Sequence, residues 1–498
     1  MSIATTTSTT TESTKAVNHT PPRLLLPPEL WLIIFRFATS SPITYYYPPS
    51  DDAEPTTGRY YEPFQSRHET IIALSDAAVR NRCAITLVCR QWRALAGDMR
   101  YEDIRIGHGL AALHAALSEP ANDTDTIVNG ISHITTNTDT TSPPPPPSRH
   151  RVRRAVLPYA HTATPTYHTP PALALLALLP HLEVLVRPPL YPHSPPPSPP
   201  APSTNRRTLI PIITIATYHT LPNSPRFEFP TAAPALPALR RLEWAFDKTG
   251  AATRAGGINS LTDMLKAAPS LSELVLTGPM PRAALRQERI PPLRALRTLR
   301  FRAGASGCPF LNLQTSYWTM PALEHIVVEG GPGAGARARA FDVLWGTFGG
   351  QVRVVQLELG GDGEGGKGMD DVHEIVNACP ELEELNFRIG CGNLNGGWSP
   401  MDGSDSVVNA VSVFSAAYMH DALQRLGICV DSDAPEWSVK TWMALAEFVG
   451  EWKLCTALRQ VVLYVQDVQV AEQNPQFHLL REALASSGRH LLLHSVRT

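Results

Sequence analysis

Three parts of this chain carry residue types at spacings that could do chemistry. Gly361-x-x-x-x-Gly366-Lys367 follows the apolar run Leu357-Glu358-Leu359 and precedes a helix-like segment from Asp371. In that context backbone N–H groups can cradle a phosphate. The next residue is Gly368, where Ser or Thr would have to hold magnesium. The glycines therefore read as a loop between elements. His373-Glu374-Ile375-Val376-Asn377 opens like a zinc-binding helix, but Asn377 stands where a second His ligand is needed; a solvated helix face is the expectation. The third part is the set of seven cysteines, Cys83, Cys89, Cys308, Cys379, Cys391, Cys429 and Cys455. It holds no Cys-x-x-Cys pair, so neither a disulfide framework nor a zinc site is expected, and a reducing intracellular compartment fits. A cysteine nucleophile would meet its His partner only in space, and no spacing favours one. No Gly-x-Ser-x-Gly elbow is present. The expectation is a protein that is not an enzyme, with no catalytic residue, no metal and no cofactor.

Bulk composition narrows the partners. The net charge of −2 over 498 residues gives no general attraction to nucleic acid or anionic membrane. The basic run Arg149, Arg151, Arg153 and Arg154 lacks interleaved aromatics and reads as a charged strand edge. The first twenty residues are rich in Ser and Thr without an apolar core, so no signal peptide is expected there. The most hydrophobic stretch, Ala172 to Leu179, stops at Pro180, too short to span a bilayer. The 47 prolines, roughly double average usage, cluster in Ser118–Ser148 and Pro188–Pro202. These stretches favour extended polyproline II and read as spacers, with SH3-like ligands as the other reading.

Elements that must position partners appear near the N-terminus. In Leu26-Pro27-Pro28-Glu29-Leu30-Trp31-Leu32-Ile33-Ile34-Phe35-Arg36-Phe37-Ala38, proline suits the first turn and Glu29 complements the helix dipole. From Leu30 to Ala38 only Arg36 is polar. A helix apolar on nearly all sides is buried or has a partner. A second segment, Leu87-Val88-Cys89-Arg90-Gln91-Trp92-Arg93-Ala94-Leu95, reads as another helix. Apolar helix segments usually form core, and Trp92 could do the same.

The order Leu26-Pro27-x-Glu29-Leu30-x-x-x-Ile34-Phe35, then Leu87-Val88-Cys89-Arg90-x-Trp92-Arg93, resembles the F-box, a small helical module that recruits proteins to SCF-type ubiquitin ligases. The following Arg100-Tyr101-Glu102-Asp103-Ile104 is similar to the segment that trails it. This chain departs from the family pattern by an insert at about 39–83. It holds Tyr45-Tyr46-Tyr47 and several prolines, and is expected to be an extended loop before a helical stretch Glu69–Arg82.

The rest of the chain has a period. Its frame, apolar-x-x-apolar-x-apolar, is clearest at Leu239, Leu271, Leu296, Leu323, Val352, Leu382, Leu423 and Leu458, counting the first position of each copy. Weaker copies start at Val152, Leu182 and Ile210. Spacings run from 25 residues (Leu271 to Leu296) to 41 (Leu382 to Leu423). The last two apolar positions alternate, as in a short strand with one face buried, and the residues between them are expected to face outward. Helical spacing precedes some copies, as in Leu261–Ala268 and Asp371–Asn377, each closed by a following proline. The pattern resembles an irregular leucine-rich-repeat solenoid without the regular Asn or Cys after the strand. An ordinary α/β domain with apolar strands is the other reading.

The fold class expected is α/β: a Ser/Thr-rich tail (1–20), an F-box-like module (21–106), a helix with a Pro-rich linker (107–149) and a leucine-rich-repeat-like solenoid (150–498). The resemblance implies an adaptor whose F-box docks on the Skp-type subunit, and through it a cullin, using Leu26, Pro27, Pro28, Glu29, Leu30, Ile33, Ile34, Phe35, Val88, Cys89 and Trp92. The solenoid would bind an unknown protein substrate. Outward strand positions offered for this are Arg241, Glu243, Arg300, Arg302, His325, Glu329, Gln356, Glu358, Glu384, Asn386, Arg388 and Tyr464. No nucleic-acid or membrane partner is expected, and residence is cytoplasmic or nuclear. The alternative is a binding scaffold without a ubiquitin role.

Overall fold

The structure, a computed structural model, describes residues 26–39, 68–96, 98–105, 110–118, 151–157, 175–187, 235–245, 258–277, 290–302, 317–329, 341–359, 375–390, 420–431, 455–465 and 467–495. Within these, a group of N-terminal helices leads into one parallel sheet. Helix α1 (Pro28–Thr39) opens where the Pro27 carbonyl accepts from the N–H groups of Leu30 and Trp31 at 3.1 and 3.2 Å. Helices α2 (His68–Val88) and α3 (Arg90–Ala96) follow. The segment expected as one helix from Leu87 to Leu95 is in fact broken at Cys89. The Cys89 sulfur accepts the Trp92 N–H at 3.4 Å, and Arg93 Nε takes the Thr86 carbonyl at 3.1 Å. Both ends of the break are thereby satisfied. Phe35, Ile85, Ala96 and Met99 form the core of this module, with Trp31, Trp92 and Leu95 packed against it.

A 3-10 turn (Asp98–Tyr101) joins α3 to the sheet. The strands are β1 (Asp103–Arg105), β2 (Arg154–Val156), β3 (Val184–Arg187), β4 (Arg241–Ala245), β5 (Glu273–Thr277), β6 (Thr298–Arg302), β7 (His325–Glu329), β8 (Val354–Leu359), β9 (Glu384–Gly390), β10 (Arg425–Asp431), β11 (Gln460–Val465) and β12 (His490–Ser495). They lie in sequence order in a single twelve-stranded sheet. Each pairs in parallel with its chain neighbours. Parallel neighbours need crossovers, and some of these contain helices. They include α4 (Leu110–Ser118), α5 (Ile258–Ala267), α6 (Asp342–Phe348), α7 (Val468–Gln473) and α8 (Pro475–Ser486). Asp467 caps α7, and Asn474 with Pro475 opens α8.

The period has a physical origin in one continuous core. Every frame residue from Leu239, Leu242 and Trp244 to Leu458, Val461 and Leu463 is buried in one cluster. A recurring turn sets each strand's start: the N–H of the first frame residue donates to the carbonyl three residues back. Leu239 to Leu236, Leu271 to Ala268, Leu323 to Met320, Val352 to Gly349 and Leu458 to Cys455 all do so at 3.1–3.2 Å. At β10 a side chain takes over. Leu423 N–H donates to Nδ1 of buried His420 at 3.0 Å, which leaves the proton on Nε2 to reach the Cys379 carbonyl at 2.9 Å.

The described strands bear on three expectations about organisation. The sheet begins at Asp103, and Leu117 of α4 already lies in its core. The stretch 107–149 therefore follows the first strand and does not separate the two parts. The weak copy at Ile210, Ile213 and Ile215 lies outside the described residues, and among the described residues β3 pairs directly with β4. The last strand, β12, was absent from the frame because Leu491-Leu492-Leu493 does not alternate.

Candidate functional site

Helix α1 has two apolar faces. Trp31 and Phe35, four residues apart, point into the module core. Ring centroids of Trp31, Phe35 and Trp92 lie 4.8–5.6 Å from one another. Leu30, Ile33, Ile34 and Phe37 follow the i, i+3, i+4, i+7 rule along another side, and these are 44, 58, 43 and 76% exposed. Leu26 lies four residues ahead of Leu30 and is exposed too. Pro27, Pro28, Glu29, Val88 and Cys89 are likewise exposed.

Two expected docking residues face elsewhere. Phe35, 1% exposed, belongs to the core, and Trp92 is half-buried against it. A partner contact for Phe35 is thus corrected: its angle on the helix is about 100° from Ile34, on the module side. Phe37 and Leu87, both exposed, were missed. The spacing of Phe37, seven residues after Leu30, was the available signal.

The sheet's second face behaves differently from its expectation. Arg241, Glu243, Arg300, His325, Gln356, Glu384, Asn386 and Tyr464 were expected outward and solvated; all are buried. Glu329 and Arg388 are half-buried, and Arg302 and Glu358 lie in register with them, respectively. In a parallel ladder, residues in register stand about 4.8 Å apart, so charges on adjacent strands can pair. Across strands, Arg154 meets Asp103 at 2.7 Å and Arg241 meets Glu273 at 3.0 Å; within β4, Arg241 also meets Glu243 at 2.9 Å. Arg300 meets Glu329 at 3.2 Å. Arg425 meets Glu384 at 3.8 Å and donates to the Tyr464 hydroxyl at 3.1 Å. Asn386 Nδ2 donates to Glu384 at 2.9 Å. A side chain at Gly427 has no room: its Cβ would stand 2.9 Å from Asn386 Cγ and 3.0 Å from Tyr464. Exposure returns at β12, where Leu492 is 38% exposed beside exposed His490 and His494.

Burial, then the Arg300 charge, lowers the His325 pKa to about 3. Burial pushes the Cys379 thiol up to about 12 and raises Cys455 as well, the opposite of an activated nucleophile. Among the described residues, no group of three His, Cys, Asp or Glu could hold a metal ion. Arg153 of the basic run pairs with Glu183 at 2.7 Å. The glycine-rich 361–368 stretch, His373 and Glu374 lie outside the described residues. Among the described residues, no helix is long and apolar enough to cross a membrane. No known family model matches the chain, and no curated protein matches it.

Proposed function

We propose that this protein is a non-catalytic adaptor of an SCF-type ubiquitin ligase. Its helical module acts as an F-box for the Skp-type subunit, and its sheet acts as a leucine-rich-repeat-like solenoid for a protein substrate. One observation carries the reading: α1 fills its own module's core with Trp31 and Phe35 yet leaves Leu30, Ile33 and Ile34 exposed, with exposed Leu26 just ahead of it. A stripe of that kind on a folded module marks an interaction surface. The solenoid reading draws support from strands stacked in sequence order, each bonded among the described residues to its chain neighbours. Because most of the second face is buried and paired within itself, the substrate surface narrows to the more open β12.

The test is co-purification of the full chain with a Skp-type subunit, beside a variant carrying Leu30→Asp and Ile34→Asp. Capture by the unaltered chain and loss in a variant of unchanged circular dichroism is the expected outcome. A folded chain that captures nothing would favour a protein-binding scaffold without a ubiquitin role.

A further inference from the structure

Met99 and Tyr101 stand two residues apart in the 3-10 turn yet serve different interiors. Met99 is buried in the helical core, whereas Tyr101 packs against the core of the sheet. Glu102 continues the connection. Its carbonyl accepts from the N–H groups of Arg153 and Arg154 at 3.0 and 2.9 Å, which sets the start of β2. Its carboxylate lies 3.6 Å from Arg82, a buried residue of α2. Arg82 in turn donates from Nη2 to the Thr39 carbonyl at 3.1 Å, at the C-terminus of α1. Beside it, Asn81 donates to the Ala38 carbonyl at 3.0 Å. The last carbonyls of a helix lack partners within it, and a cation there also complements the helix dipole. One side chain therefore touches the end of α1, the body of α2 and the first residue ahead of β1.

Arg82 is a poor choice for stability alone. Among the described residues its buried Nε and Nη1 have no hydrogen-bond partner, and a buried guanidinium incompletely paired costs free energy. What it supplies is a defined geometry. We propose that Arg82 is a positioning residue, a latch that makes the helical module and the sheet one rigid body. The exposed stripe of α1 is then held at a fixed distance and bearing from the strands. The purpose rests on the adaptor reading: two partners held by one body meet at an effective concentration set by its geometry, undiluted by a flexible linker.

The experiment measures the joint directly in the full chain. Nitroxide labels are placed at Ile33→Cys and Glu381→Cys, both exposed positions, with Cys83, Cys89, Cys308 and Cys391 replaced by Ser. Pulsed dipolar spectroscopy should return one narrow distance distribution. Arg82→Met, which keeps the apolar stem, should broaden it at least twofold. The milder Glu102→Ala, at a half-exposed side chain, should broaden it less, with circular dichroism unchanged in both. A broad distribution in the unaltered chain, or one equally narrow in both folded variants, overturns the latch. No Skp-type partner enters the measurement, so failed capture of that subunit would remove the purpose and leave the distances standing.

Discussion

The two surfaces that sequence singles out for partners have exchanged characters. On α1, Leu30, Ile33, Ile34 and Phe37 are apolar and exposed; on the sheet's second face, Glu243, Arg300, Gln356 and Asn386 are polar and buried. A helix presents several directions, so an all-apolar segment can fill one core and still offer a second stripe. A strand in a parallel ladder has neighbours on either side, so a polar residue can find its partner one strand away. Residue type alone thus misjudges exposure at both places, because pairing decides it.

The contrast breaks most sharply at the first ion pair of the sheet. Arg154→Met would leave Asp103 buried without its guanidinium and should cost about 3–5 kcal/mol. Denaturant unfolding would show this loss, and adding Asp103→Leu should restore most of it. A loss well under 1 kcal/mol for the single variant would mean that water reaches this face. The next effect is a pH dependence at His325. Its folded pKa of about 3 lies below the ordinary 6.5, so the unfolded chain binds the proton first as pH falls. The folded state should therefore lose about 1.4 kcal/mol per pH unit between those values. Stability measured at pH 7 and pH 4 should fall more steeply for the unaltered chain than for His325→Leu; equal slopes would place His325 in water. The smallest effect belongs to α1. Leu30→Asp with Ile34→Asp should shift stability by only about 0.5 kcal/mol, whereas a loss comparable to a core truncation would show that the stripe is covered in the free protein.

Much of the architecture was legible in the sequence because the core repeats. Leu274 and Leu276, or Leu385 and Phe387, alternate on strands whose helices and turns recur around them. Strand β1 escaped notice because Asp103-Ile104-Arg105 has a single apolar residue and no period to reveal. His420 was silent for another reason. Its imidazole replaces a backbone carbonyl that every frame already has, and nothing along the chain announces that exchange. The ion pairs were hidden because Arg241 and Glu273 are separated by a crossover, and one strand's sequence does not disclose its neighbour's register. On α1 the helical period was visible, but the division between Phe35 inside and Ile34 outside depended on where α2 and α3 pack.

Strand order in this sheet also has a temporal meaning. The helical module and β1 leave the ribosome before β2, and β2 onward can each add to an edge that already exists. Synthesis and assembly can proceed in the same direction, without waiting for a distant C-terminal strand to close the sheet. Each new strand covers the edge left by the one before it, as β12 does for β11, with α7 and α8 packed into the core beside it. An interrupted chain would therefore carry a well-formed N-terminal portion and an adhesive end.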